Sequence, residues 1–208
     1  LDAQLLRRIQ QELAGPARRT TRLADDAARL LRRIDRLVAQ KVVAAPVDRD
    51  ALELACYALQ LPLASTTVAQ PAGKLGLFAL KDRAEQAAEL LVGAAADAGE
   101  SLLDRTTRIL HESPHKTPVL DEAKVLADVV GLDDYGILGL IRSSIQIGQS
   151  GGGAEQVREA AVKREQYGYF EARLKDGFHF DATRAIARRR LENARAATKL
   201  LGEEIDDL

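Results

Sequence analysis

An all-α fold is predicted by three features of the sequence. Ala, Leu and Arg, all helix formers, dominate, while aromatic residues amount to 4%, too few for the aromatic and β-branched rows that strands collect. Apolar residues recur every three to four positions through most of the chain, the period of an amphipathic helix. The prolines fall between these periodic segments. With 46% hydrophobic residues in 208, the chain can bury a substantial core, and it reads as a compact bundle of about eight or nine helices.

Leu1 to Ala14 carries Leu5, Leu6, Ile9 and Leu13 on one stripe and stops at Gly15-Pro16. It is expected to be an N-terminal helical extension over residues 1–19, ahead of a single helical domain over 20–208. From Thr20 to Ala45 a long helix is expected, with Leu23, Ala27, Leu30, Leu31, Ile34, Leu37 and Val38 on the buried face, arginines opposite, and Pro46 as its stop. Asp25 and Asp26 suit the positive end of that helix. Asp48 is placed to cap a third helix around Leu52, Leu54, Ala55, Cys56 and Ala58, closed by Pro62. Leu63 to Leu80 has no helical period and is expected to be loop, with a short strand near Leu75 to Leu80.

Helical period returns over Lys81 to Ala96, and Ser101 is expected to cap a helix ending at His111. After the two-proline loop Glu112 to Pro118, helices are expected over Asp121 to Val130 and Tyr135 to Ile147. The glycines of Gly148 to Gly153 make a linker or a lid. Two long helices, Ala154 to Lys175 and Asp181 to Leu201, close the domain. Tyr167, Tyr169, Phe170, Phe178 and Phe180 gather around their junction as a core plug rather than a base-stacking platform.

Thirty basic and 31 acidic residues leave a net charge of −1, so no overall field draws the chain to nucleic acid or to an anionic membrane. The arginines at 184, 188, 189, 190 and 195 are offset by Glu192 and by the acidic end Glu203, Glu204, Asp206 and Asp207. Nucleic acid and membrane are therefore not expected partners. Cys56 has no second cysteine to pair with and lies in an apolar run, which makes it a buried structural thiol. No apolar run reaches the length of a membrane span and no signal-peptide core opens the chain, so a cytoplasmic location is expected. The SGGG at Ser150 to Gly153 lacks the Lys-Ser/Thr of a P-loop.

The run LDEAKVLADVVGLDDYGILGLI, from Leu120 to Ile141, carries Glu122-Ala123 at a helix start, Leu132-Asp133 in a turn, and Gly136 and Gly139 after it. In this frame it resembles a metal-site segment of the HD superfamily of metal-dependent phosphohydrolases. The stretch YGYFEARLKDGFHFDATRAIARRRLENARAATKLL is similar to the closing helical pair of the family's bacterial members. The resemblance implies an HD-domain-like helical bundle. It also implies ligand positions that this chain fills otherwise: the His-Asp pair falls on Leu59 and Gln60, the ligand Asp falls on Val130, and no histidine precedes His111.

Without those ligands the chain reads as a pseudoenzyme: a degenerate HD-like domain with no catalytic residues, no metal and no cofactor. It is expected to act as a binding or scaffold module for a protein partner or a small phosphorylated ligand, with a homodimer as a further possibility. His111, His115, Glu122, Asp128, Asp133 and Arg142 are the candidate ligand-binding residues. Asp133 is also placed to cap the following helix. The alternative is a working phosphohydrolase for a nucleotide or phosphomonoester. In that case a divalent transition metal or magnesium would sit on substitute ligands drawn from His111, His115, Asp128 and nearby acids.

Overall fold

In a computed structural model of the chain, which describes residues 3–13, 23–44, 46–64, 77–94 and 99–207, the regular elements are all helical and no strand occurs among the described residues. Among the described residues there are more helices than the eight or nine expected, because the one predicted over Ala154 to Lys175 is split and a separate single turn, Leu61–Ala64, follows the third. It forms two units, Leu1–Val129 and Val130–Leu208. The boundary expected at residues 19 and 20 lies outside the described residues.

In the first unit, α1 (Ala3–Leu13) buries Leu5, Ile9 and Leu13. It packs on α2 (Leu23–Ala39), α3 (Arg49–Ala58) and the single turn α4 (Leu61–Ala64). The α2 stripe is buried as its period predicts, from Leu23 through Leu37. Val38 instead is exposed, and the helix ends at Ala39, well before Pro46, with Lys41 in the turn after it at a φ of 55° in the left-handed region. α3 is buried nearly throughout, with Cys56 fully inaccessible; burial pushes that thiol far up from its ordinary pKa. α5 (Leu77–Ala94) packs on α6 (Glu100–Glu112) and α3. It takes in the tail of the predicted strand, since residues 77–80 are helical; Leu75 and Gly76 lie outside the described residues. The start of α6 is capped by Gly99 with no side-chain hydrogen bond, so Ser101 stands inside the helix and not at its cap. α7 (Asp121–Gly131) buries Ala123, Val125, Leu126 and Val129.

The second unit begins with a 3-10 turn, Leu132–Asp134, and continues through α8 (Gly136–Gln149), α9 (Ala154–Gln166), α10 (Tyr169–Asp176) and α11 (Asp181–Asp206). The predicted helix Ala154 to Lys175 is broken at Gly168, which adopts φ 63° and lets α10 leave the direction of α9. α8 packs on α9 and α11, and α10 on both α9 and α11. The aromatic plug forms around Tyr135, with Phe170 and Phe178 at ring distances of 5.4 and 5.5 Å and Leu132, Leu174, Ala187 and Leu191 around them. Tyr167 does not join it: at 84% exposed it points to solvent.

Two glycines of α8 show opposite demands. A Cβ on Gly139 would stand 2.4 Å from the Asp134 carbonyl oxygen, whereas one on Gly148 would meet nothing within 4 Å. Gly139→Ala is expected to destabilise the chain by about 2 kcal/mol or more, because backbone rather than a side chain must move. Gly148→Ala should stabilise it by about 0.5–1 kcal/mol through helix propensity. Urea unfolding of the two variants checks the opposite signs.

Candidate functional site

The six residues nominated from the sequence fall into two groups, one in each unit. Glu122 stands in the first turn of α7 and is 2% exposed. Its Oε1 accepts from Arg105 Nη2 at 2.7 Å and from the Asp48 backbone N–H at 3.0 Å. Asp48 is the N-cap of α3 and accepts from the Ala51 N–H at 3.0 Å. In a local capping box the N-cap's own N–H would be taken by a Glu or Gln three residues on. Here that position is Ala51, and Glu122 does the work from another helix. Burial pushes the Glu122 carboxyl up, but the hydrogen bonds from Arg105 and Asp48 outweigh it and hold the group below the usual carboxylate range.

Asp128 is fully buried on the same helix. His111, in the last turn of α6, and His115, in the loop after it, are both exposed. Among the described residues, no group of three or more His, Cys, Asp or Glu side chains stands where it could hold a metal ion. The positions that the resemblance assigns to the His-Asp pair are built into the core: Leu59 is inaccessible, and Gln60, 3% exposed, donates to the Cys56 carbonyl at 3.3 Å.

In the second unit Asp133, 3% exposed, accepts from Arg142 at 2.8 Å. The N-cap of α8 is Tyr135, which offers no side-chain hydrogen bond, so the cap expected at Asp133 falls two residues later. Arg142 is thereby engaged by a neighbour of its own unit.

A cleft of about 720 Å³ lies within the second unit, walled by α8, α9 and α11. This volume falls in the ~300–1,000 Å³ range of small-molecule sites. Its apolar wall includes Gly139, Leu140, Ala161, Val162, Phe170 and Ala194. Two ion pairs link α9 to α11 along it, Arg158 with Asp206 at 3.1 Å and Arg195 with Glu165 at 2.9 Å. Lys199 pairs with Glu203 at 3.3 Å and Asp134 with Arg173. Arg164 differs. It lines the cleft from α9, its Nη2 donates to the buried Ser143 hydroxyl at 3.1 Å, and among the described residues no carboxylate lies within ion-pair distance of it. Burial draws its guanidinium below the ordinary arginine value.

The sequence reading did not single out this cleft. Arg164 sits in an ordinary charged helix, REAAVKREQ, where each basic residue has acidic neighbours; nothing in that string distinguishes the arginine that lacks a carboxylate. Against known protein families, curated proteins and solved structures, the chain matches none. No helix among the described residues is long and apolar enough to cross a membrane.

Glu122→Ala is expected to cost about 2 kcal/mol at neutral pH, the scale of a charge-assisted hydrogen bond lost inside a protein. Because the folded pKa is depressed, this contribution is complete above the unfolded value of about 4.3. It is lost as pH falls through the lower folded value. Denaturation of the wild-type chain and the variant between neutral and strongly acidic pH should show their stabilities converging at the acid end.

Proposed function

We propose that the chain is a noncatalytic, HD-like helical binding module, and that its ligand occupies the cleft of the second unit. One observation carries this reading: the polar residues that the HD resemblance nominates are exposed or tied to structural partners, while a ligand-sized cleft opens elsewhere. Glu122 completes the cap of α3 and Asp133 holds Arg142. A catalytic acid or base must instead be free to exchange protons with a substrate. The cleft differs: apolar side chains of α8, α9 and α11 form part of its wall, and most of the charged groups around it are paired with one another, which leaves Arg164 as a polar group that a ligand can engage.

The test uses a neutral apolar dye, N-phenyl-naphthylamine, whose fluorescence rises in apolar surroundings. It should bind the wild-type chain saturably, at one dye per chain. Ala161→Leu, which projects three more carbons from the α9 wall, should weaken binding about tenfold while leaving the circular dichroism unchanged. Equal binding by the variant would remove the cleft as the site. In a parallel measurement, chain incubated with manganese or iron and freed of excess ion should retain far less than one metal per chain. Stoichiometric metal that disappears in His111→Ala would overturn the noncatalytic reading.

A further inference from the structure

Ligand class follows from the charges around the cleft, and the inference rests on the cleft being the binding site. Its wall carries four cations, Arg158, Arg164, Arg195 and Lys199, and five carboxylates, Asp134, Glu165, Glu203, Asp206 and Asp207. Three of the cations have carboxylate partners within 3.3 Å. Arg164 instead has a hydroxyl, from Ser143, as its hydrogen-bond partner, and lines the cleft together with Leu140, Ala161, Val162 and Phe170. Asp134 acts on this guanidinium only at longer range; a half-buried cation with no carboxylate in ion-pair contact is costly to maintain, and a ligand that brings one recovers part of that cost.

We propose that the cleft binds a small amphipathic monoanion, an aliphatic carboxylate whose headgroup pairs with Arg164 and whose chain lies along Leu140, Ala161, Val162 and Phe170. A guanidinium presents a planar fork of donors that matches a carboxylate; one arm is used by Ser143 and the others remain for the ligand. A phosphomonoester fits less well, since it brings about two negative charges at neutral pH to a wall where carboxylates already outnumber cations. A cationic amphiphile would meet Arg164 directly and is repelled.

Isothermal titration of the full chain with decanoate, decanol, decylammonium and decyl phosphate, each below its aggregation concentration, tests the assignment. Decanoate should bind about 10- to 100-fold more tightly than decanol, the scale of charge-assisted hydrogen bonds in a partly dry site, and more tightly than decyl phosphate. Decylammonium should not bind. Arg164→Met should reduce decanoate affinity to that of decanol, leave decanol unchanged, and melt no lower than the wild-type chain without ligand. Should Arg164→Met fail to fold, Arg164→Gln, which keeps a donor for Ser143, reads the same loss. Equal binding of decanoate and decanol, or tighter binding of decyl phosphate, overturns the ligand class but leaves the cleft as a binding site. Binding of none of the four removes both.

Discussion

The first unit is organised by the Glu122 carboxylate. Helix α3 is buried over most of its length from Ala51 onward, and the donors of its exposed first turn have no partner within the helix's own ladder. Asp48 takes one of them, and the N–H of Asp48 itself is taken by Glu122 from α7. The same oxygen receives Arg105 from α6. One buried carboxylate thus fixes α3, α6 and α7 relative to each other, and Arg33 of α2 adds a hydrogen bond to the Val129 carbonyl near the end of α7. A glutamine here would keep one acceptor but lose the charge that offsets Arg105. Capping of α3 and pairing with Arg105 account for an acid at this position.

The second unit solves a related problem with a tyrosine. Tyr135 is fully buried, and its hydroxyl donates to the Phe170 carbonyl at 3.1 Å. Its ring is held by Phe170, Phe178 and the Arg173 guanidinium, 5.9 Å from the ring centre. This fixes the start of α8 against α10. Gly136 follows with φ 79°, where a Cβ would stand 3.1 Å from the Cβ of Arg190 on α11, so the chain turns where only glycine passes without strain. Arg190 in turn donates to the Leu132 carbonyl at 3.0 Å. The cleft walls are therefore set by buried aromatic packing and by arginines that close backbone carbonyls, and its outer ion pairs, being exposed, add little to stability.

Much of this architecture was legible in the sequence because burial has a period. The stripes of α1 and α2, the cap at Asp48, the buried Cys56 and the burial of Phe170 and Phe178 follow from spacing and residue type, whereas Tyr135 at the centre of the aromatic cluster was not foreseen. Where local conformation decides, spacing was silent. Lys41 enters the left-handed region in the turn after α2, a state that lysine does not advertise, and Gly168 divides a helix whose polar pattern continues across it. Tyr167 differs from Tyr169 and Phe170 only by facing the other way at that break. The candidate cleft was less legible still. Its volume is made by three helices, and Arg164 is singled out by what does not lie beside it, a property of three-dimensional neighbours alone.

The contrast between the two sets of charged residues bears on what this fold can do. Glu122 and Asp133 are buried and satisfied, so any chemistry asked of them would begin by breaking hydrogen bonds that hold helices in place. Leu59 and Gln60 stand in the core, so placing a histidine and an aspartate there would bury new polar groups among apolar neighbours, a cost that only a bound metal could offset. Arg164 is in the reverse position: it already bears the cost of partial burial and gains when a partner arrives. A residue whose interactions are complete stabilises the fold, and a residue whose interactions are incomplete at the edge of a cavity favours a complex. On that physical ground the proposed binding is assigned to the α8, α9 and α11 cleft rather than to the residues that the sequence frame makes most conspicuous.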